Sequence, residues 1–206
     1  MTNLLLVISS PRNGASLSSK VARELVDKLL AAHPGATLTV RDLAAEPLPH
    51  IGDDYVAGRN LPADQRSPAQ AEAVAIADRL TEELQAADVV VLASAMINFG
   101  ISSTLKSWFD YLLRAGITFS YGADGAKGLV TGKKAYLVAA RGGIYSEGPT
   151  KAIDFQEPYV RHLLGFMGIT DVETVLVEGA ALGPEAAERS LTTALDHVAE
   201  ITAQAA

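Results

Sequence analysis

The sequence predicts a doubly wound α/β fold built on a parallel sheet of five strands. Short apolar runs alternate along the chain with longer segments whose apolar residues recur at helical spacing. The first run, Leu4 to Ile8, is unbroken, which is typical of a strand covered on both faces. Right-handed crossovers leave few topologies for five such units, and they favour the strand order 2-1-3-4-5.

The first strand leads into a polar loop and a helix predicted from about residue 18 to residue 32, with Ser16 or Ser18 as its N-cap. Free backbone N–H groups at a helix start attract anions, and serine hydroxyls add donors. The loop lacks both the dinucleotide fingerprint and the NTPase P-loop pattern. It therefore suits a terminal monophosphate held by neutral donors, such as that of FMN. An ordinary turn with polar filler is the alternative.

The remaining elements continue the alternation. Further strands are predicted at residues 36–43, 88–94, 134–140 and 172–177, and further helices at residues 68–87, 103–115, 155–167 and 184–203. The second strand alternates polar and apolar residues, which places it at an edge of the sheet. Residues 44–67 are predicted to be irregular, and structureless loops of such length are usually functional. A glycine-rich excursion, to which no helix or strand is assigned, is predicted at residues 116–132.

Composition and charge narrow the class of protein. The chain has 206 residues, and we expect a single domain over residues 1–206. Its 17 basic and 24 acidic residues give a net charge of −7, which argues against nucleic acid and anionic membranes as partners. The absence of cysteine excludes disulfides and thiol catalysis. No signal sequence or apolar run of membrane length is found, so we expect a cytoplasmic protein.

Two classes of catalytic site are disfavoured. The four histidines are scattered without metal-binding spacing, so no metal is expected: His33, His50, His162 and His197. The sequence has no G-x-S-x-G elbow, and Ser9 and Ser10 have no evident paired base, which argues against a serine hydrolase.

The loop after the third predicted strand contains Met96, Ile97, Asn98 and Phe99. A thioether, an amide and an aromatic ring suit a flat, amphipathic heterocycle. In the alternative interpretation, the apolar members belong to the core and Asn98 caps the following helix.

The loop after the fourth predicted strand contains Arg141, Gly142 and Gly143. Paired glycines let backbone N–H groups approach a planar ligand closely. A sharp turn with an exposed arginine is the alternative. Because the carboxyl ends of parallel strands share one edge of a sheet, the loops after strands one, three and four are predicted to form one ligand site.

These segments together resemble the flavodoxin-like, FMN-dependent NADH:quinone reductases and azoreductases. The likeness runs over nearly the whole chain and is carried by Ser9-Ser10, Ser16 to Ser18, Met96 to Phe99, Thr118 to Tyr121 with Gly128 to Lys134, Arg141 to Gly143, and Leu164 to Ile169. The resemblance implies a three-layer, flavodoxin-like fold with tightly but non-covalently bound FMN.

The resemblance also assigns site residues. It implies that the FMN phosphate is held by Ser10, Ser16, Leu17 and Ser18. It implies that the isoalloxazine and ribityl chain are lined by Met96, Ile97, Asn98 and Phe99, and that the pyrimidine edge meets Ala140, Arg141, Gly142 and Gly143. Phe119 and Tyr121 would stand at the mouth of the substrate cleft. Two positions depart from the family pattern: Ile97, where Tyr is frequent, and Ala140, where Ser is common.

The implied reaction is ping-pong, two-electron hydride transfer through FMN, from NADH to a quinone or, over two cycles, to an azo compound that yields aromatic amines. No residue is assigned with certainty as a catalytic acid or base, and Asn98 and the backbone near Gly142 would stabilise charge on the reduced flavin. The resemblance also implies a homodimer with the cleft between subunits. A flavodoxin-type electron carrier without NADH turnover, and an FMN-free binding or hydrolytic protein, are the alternatives.

Overall fold

A parallel five-stranded sheet forms the centre of the computed structural model, which describes residues 2–204. Its strands are β1 (Asn3–Ile8), β2 (Thr37–Asp42), β3 (Val89–Ala95), β6 (Lys134–Ala140) and β7 (Asp171–Val177). They are arranged in the order β2-β1-β3-β6-β7. A separate hairpin supplies β4 (Phe119–Gly122) and β5 (Gly125–Gly128). With the hairpin set aside, the predicted order 2-1-3-4-5 is confirmed.

Residues 2–204 also contain six α-helices, of which the last follows the final strand: α1 (Leu17–Ala32), α2 (Asp53–Gly58), α3 (Pro68–Ala86), α4 (Ser103–Leu112), α5 (Glu157–Met167) and α6 (Pro184–Gln204). Helix α4 ends three residues earlier than predicted, because the Thr118 hydroxyl accepts from the Arg114 N–H and donates to the Leu112 carbonyl. Helix α5 begins two residues later than predicted. The backbone N–H of Phe155 is already bound to the Phe99 carbonyl, outside the helix.

The two faces of the sheet bury alternate residues of the same strand. Leu4, Leu6 and Ile8 of β1 pack with residues of α1 and α6. Leu5 and Val7 point the other way and pack with residues of α3, α4 and α5. The unbroken apolar run of β1 therefore reflects burial on both sides.

Both stretches without a predicted helix or strand contain short elements. Residues 44–67 include α2, whose six residues are too few to show helical periodicity. Residues 116–132 form the β4–β5 hairpin, in which Gly125 has a φ of +103°. A Cβ on Gly128 would lie 2.2 Å from the Gly168 nitrogen, so this glycine permits the hairpin to dock against the end of α5.

None of the helices described over residues 2–204 combines the length and the apolar character needed to cross a membrane.

Candidate active site

A cleft of about 180 Å³ opens at the carboxyl ends of β1, β3 and β6. This is the topological switch point of the sheet, because the connections after β1 and β3 run in opposite directions. Eight of the twelve residues predicted to bind a cofactor line it: Ser10, Ser16, Leu17, Met96, Ile97, Ala140, Arg141 and Gly142. The other four lie within two residues of these in the chain: Ser18, Asn98, Phe99 and Gly143.

Five further lining residues were absent from the prediction: Pro11, Arg12, Ala95, Ala180 and Ala181. The two last residues follow β7, whose carboxyl end lies at the same edge of the sheet. The position of Ala180 and Ala181 at this edge of the sheet could have identified them, because small apolar side chains do not by themselves indicate a binding site.

The polar end of the cleft is built by the loop between β1 and α1. Ser16 is the N-cap of α1, and its Oγ accepts from the Ser19 N–H at 3.2 Å. The Ser19 hydroxyl donates to the same oxygen at 3.0 Å, and the Ser18 hydroxyl lies 3.1 Å from it. Of the two predicted N-cap candidates, Ser16 is confirmed. Ser18 is fully buried in the first turn.

This end also has the electrostatic character of an anion site. The first-turn N–H groups of α1, including those of Leu17 and Ser18, have no acceptor within the helix and lie at its positive end. A neighbouring depression of about 330 Å³ shares Ser10 and Ser16 with the cleft and is also lined by Lys20, Arg23 and Asp42. Hydroxyls and N–H groups thus converge here, beside two cationic side chains and one carboxylate.

A tight turn closes the opposite end of the cleft. Ile97 and Gly100 exchange two backbone hydrogen bonds, at 2.9 and 3.0 Å, across Asn98 and Phe99. These two residues have positive φ angles of 46° and 71°, and no other non-glycine residue of the described chain does. Left-handed backbone at an aromatic residue is strained and is typical of functional sites.

The turn overturns the interpretation of this loop as core. The side chains of Ile97 and Phe99 are exposed rather than buried. Ser102, and not Asn98, caps α4, because its Oγ accepts from the Leu105 N–H at 3.2 Å. The loop therefore presents its side chains outward from the end of β3.

An aromatic residue missed by the sequence analysis borders this turn. The ring of Tyr145 meets the ring of Phe99 edge to face, with centroids 6.3 Å apart. A Cβ on Gly143 would lie 3.2 Å from the Tyr145 ring, so the glycine permits the ring to approach the backbone. The position of Tyr145 two residues after the paired glycines was the only signal in the sequence.

The loop after β6 is braced by the loop after β7. Backbone N–H groups of Gly179, Ala180 and Ala181 donate to three successive carbonyls, those of Gly143, Arg141 and Gly142 respectively. These three carbonyls therefore already accept hydrogen bonds from within the protein. The Ala140 carbonyl accepts from the Met96 N–H at 2.8 Å, which joins this loop to the end of β3 as well.

Arg141 is buried, and the interpretation of an exposed arginine is wrong. Its side chain has 0% exposure, and each guanidinium nitrogen binds a protein group. Nη2 lies 2.8 Å from Asp154 and 3.4 Å from Glu157, Nη1 lies 2.9 Å from Glu178, and Nε donates to Gln156 at 3.1 Å. All three guanidinium nitrogens are therefore bound to protein groups, and only the backbone and the other side-chain atoms of Arg141 are available to contact a ligand in the cleft.

Two of these carboxylates are stabilised in their charged form. Burial by itself raises the pKa of Glu178, but hydrogen bonds from Ser146, Tyr145 and Arg141 outweigh it, and the pKa lies below the ordinary value. Burial likewise raises the pKa of Glu157, and hydrogen bonds from Arg161 and Thr174 bring it below the ordinary value.

Phe119 and Tyr121 lie on the hairpin, away from the cleft walls. Within one chain they line a different cavity of about 280 Å³, together with Tyr55 of α2. The Phe119 ring packs against Phe166, with centroids 4.7 Å apart, whereas Tyr121 is 73% exposed. The cleft of a single chain therefore does not include them.

Comparisons with known proteins agree with this arrangement. A protein-family model described as "Flavodoxin-like fold" matches residues 2–201. An FMN-dependent NADH:quinone oxidoreductase of Mesorhizobium japonicum is 52% identical over 201 residues, which cover 98% of this chain and 96% of that protein. A second relative, FMN-dependent NADH:quinone oxidoreductase 2 of Rhizobium etli, is 50% identical over 207 residues, with full coverage of both chains.

This chain belongs to the flavodoxin-like family of FMN-dependent NADH:quinone oxidoreductases. Among solved structures, an azoreductase from Bacillus anthracis is similar with a TM-score of 0.91 and 36% identity, covering 98% of this chain and 99% of that one. The predicted family is confirmed.

Both positions at which the resemblance implies a departure from the family pattern, Ile97 and Ala140, line the cleft. Ile97 opens the strained turn and presents an aliphatic side chain that is 40% exposed. Ala140 ends β6 and offers no hydroxyl. Both side chains contribute apolar surface to the cleft wall.

No group of three or more His, Cys, Asp or Glu side chains within the described range 2–204 is arranged to hold a metal ion.

Proposed function

We propose that this chain is an FMN-dependent NADH:quinone oxidoreductase that also reduces azo compounds to aromatic amines. The observation that carries the proposal is the cleft at the switch point, which has an anion-binding end at α1 and an apolar end at β3 and β6. Its relatives at about half identity carry the name of this activity.

The polar end fits the phosphate of FMN. Ser10 and Ser16 offer hydroxyls, and the first turn of α1 offers the N–H groups of Leu17 and Ser18. A monophosphate needs several neutral donors and a favourable dipole, and both are available at this helix start. The Ser18 hydroxyl is already close to Ser16, so we assign to Ser18 the role of an N–H donor.

The other end fits the flavin ring. Met96, Ile97 and Ala140 provide an apolar wall, and Gly142 lets the chain approach a flat ligand closely. Asn98 is exposed on the strained turn beside this wall, where its amide can both donate and accept at a ring edge. Gly143 and Phe99 flank the same wall.

The cleft is smaller than the pockets of about 300–1,000 Å³ that enclose a small ligand. It would therefore hold one side of the ring and leave the other accessible to NADH and then to a quinone. Bound FMN supplies two-electron hydride transfer between these two substrates in a ping-pong sequence, and an azo bond requires two such cycles. The chain itself orients the ring and keeps water from the covered face.

The cleft offers no side chain suited to proton transfer. Among its described lining residues there is no His, Asp, Glu or Lys. We therefore assign the proton to water, and assign to Asn98 and the backbone near Gly142 the stabilisation of charge on the reduced ring. An electron carrier would present an acidic rim to its partner, whereas the charged residue exposed at this cleft is Arg12.

We also propose that residues 1–206 form one three-layer domain that acts as a homodimer, with the substrate cleft between the subunits. Two observations support a dimer. Phe119 and Tyr121 do not reach the cleft of their own chain, so their role at its mouth requires a second copy. Apolar side chains near the cleft and on the hairpin are unusually exposed, with Phe155 at 60% and Tyr121 at 73%. A cytoplasmic location follows from the use of NADH.

Anaerobic stopped-flow mixing of the FMN-loaded protein with NADH tests the activity. We expect rapid loss of the visible flavin absorbance, and its return when a quinone is added. Bound flavin that stays oxidised in excess NADH would support the electron carrier instead. A protein that does not take up FMN would contradict the cofactor assignment.

A further inference from the structure

We propose that Arg141 is a positioning residue that fixes the strained turn at Asn98 and Phe99 through the segment 154–156. The proposal rests on the proposed function where it concerns FMN binding. Its structural part, the dependence of the turn on Arg141, stands without it.

The first link is between Arg141 and the segment 154–156. The guanidinium binds Asp154 at 2.8 Å and Gln156 at 3.1 Å. These two residues flank Phe155, whose ring is largely exposed and therefore contributes little burial to hold the segment. Polar contacts, among them those with this buried cation, therefore hold the segment in place.

The second link joins the segment to the turn. The Phe155 N–H donates to the Phe99 carbonyl at 2.9 Å. Phe99 is the aromatic residue with a φ of 71°, a conformation that persists only where surrounding contacts impose it. The Phe155 N–H is such a contact, because it fixes the direction of the peptide that follows Phe99.

A third link joins the same segment to the end of β3. The Gln156 side-chain amide donates to the Ser94 carbonyl at 3.1 Å and to its hydroxyl at 3.0 Å. Gln156 has 0% exposure. Because its amide oxygen accepts from Arg141 and its amide nitrogen donates to Ser94, the arginine also fixes which way this amide points.

The opposite side of the guanidinium is anchored by Glu178. One carboxylate oxygen of Glu178 accepts from Arg141 at 2.9 Å and from the backbone N–H groups of Tyr145 and Ser146 at 2.8 and 3.0 Å. Arg141 therefore connects the loop after β6, the segment 154–156 and the end of β3. No other residue type has a rigid planar fork that can reach all of these acceptors at once.

The test uses the full chain with two substitutions and one control. Arg141→Gln removes the charge and the fork. Asp154→Asn removes one carboxylate but keeps a side-chain oxygen that accepts from the Gln156 backbone N–H. This variant replaces Arg141→Gln in the test if Arg141→Gln does not fold. Arg161→Gln is the matched control, because Arg161 also pairs with Glu157 but contacts α5 and β7 rather than the segment 154–156.

Amide hydrogen exchange in the flavin-free protein provides the first readout. We expect the amides of Phe155 and Gly100 to exchange at least about tenfold faster in Arg141→Gln, and to a smaller extent in Asp154→Asn, while Arg161→Gln leaves them unchanged. The second readout is the dissociation constant of FMN, which we expect to rise about tenfold or more in Arg141→Gln because misplaced site groups weaken binding.

Unchanged exchange at both amides in folded Arg141→Gln or Asp154→Asn would overturn the proposal, as would an equal increase in Arg161→Gln. These results can be told apart from a failure of the proposed function. If the unmodified protein does not bind FMN, the proposed cofactor is wrong, and the exchange of Phe155 and Gly100 still decides the role of Arg141.

Discussion

The two ends of the cleft are built in different ways. At the α1 end, Ser16 is bound by groups two and three residues away in the chain. At the β3–β6 end, Arg141 binds Gln156 and Glu178, which lie 15 and 37 residues away, and Gln156 reaches Ser94 across 62 residues. The α1 end is formed by residues that are close in the chain, whereas the β3–β6 end is formed by residues that only the complete fold brings together.

This difference predicts that substitutions at the two ends of the cleft destabilise the protein to different extents. The contacts around Ser16 are neutral hydrogen bonds, and the loss of one is partly offset by water. The single positive charge of Arg141 faces three carboxylates in a protected environment, so removal of the cation leaves those charges opposed to one another. The largest effect of substitution is therefore expected at the β3–β6 end.

Arg141→Gln should lower the free energy of unfolding by about 3–5 kcal/mol, the range for breaking a buried ion pair by removing one partner. Urea or guanidinium denaturation measures the loss. Arg161→Gln serves as the control, and its more exposed side chain should give a clearly smaller loss. Equal losses in the two variants would mean that the burial of Arg141 adds nothing to stability, and a loss no larger than that of Ser16→Ala would remove the contrast between the ends of the cleft.

Ser16→Ala should lower the free energy of unfolding by about 1–2 kcal/mol, because the variant loses the N-cap and leaves the Ser18 and Ser19 hydroxyls without this acceptor. Ser16→Asn keeps a capping oxygen and should recover most of the loss. A Ser16→Ala protein as stable as the unmodified one would mean that the cap contributes nothing.

Phe99→Gly should be more stable than Phe99→Ala by about 0.5–1 kcal/mol, the reverse of the usual order. Glycine adopts a φ of 71° without strain energy. This gain outweighs the free energy that glycine loses because its chain entropy is larger in the unfolded state. The alanine variant is the control for loss of the ring. If alanine is the more stable of the two, the turn is not strained.

The smallest expected effect concerns pH. Since the pKa values of Glu157 and Glu178 are lowered by folding, these groups stabilise the fold above their unfolded value of about 4.5 and lose this contribution as the pH falls through the lower folded values. Stability should therefore decrease below about pH 4.5. Glu178→Gln should flatten the decrease, and Glu188→Gln on the exposed face of α6 should leave it unchanged.

The sequence predicts the order of the elements, whereas it does not predict side-chain contacts between distant segments. The strand order follows from the alternation of strands and helices together with the crossover rule, and the Ser16 cap follows from neighbours a few residues away. The burial of Arg141 was missed because its partners are distributed over residues 154–178, where nothing in the sequence relates them. The hairpin of residues 119–128 was missed because its strands are short and rich in glycine.

The binding site shows the same division. The residues after β1, β3 and β6 were predicted because strand ends on one edge must converge. The positive φ of Asn98 and Phe99 was not predictable, because neither is glycine and the hydrogen bond to the Phe99 carbonyl comes from Phe155, far along the chain. Residues that depend on a distant donor have no local signature.

Calorimetric titration with FMN and with riboflavin tests most directly whether the two ends of the cleft recognise the two ends of FMN. Riboflavin lacks only the phosphate. We expect Ser16→Ala to weaken FMN and leave riboflavin binding unchanged, and Arg141→Gln to weaken both by the same factor. If Ser16→Ala weakens riboflavin as much as FMN, the phosphate does not bind at α1, and the assignment of the cleft is wrong.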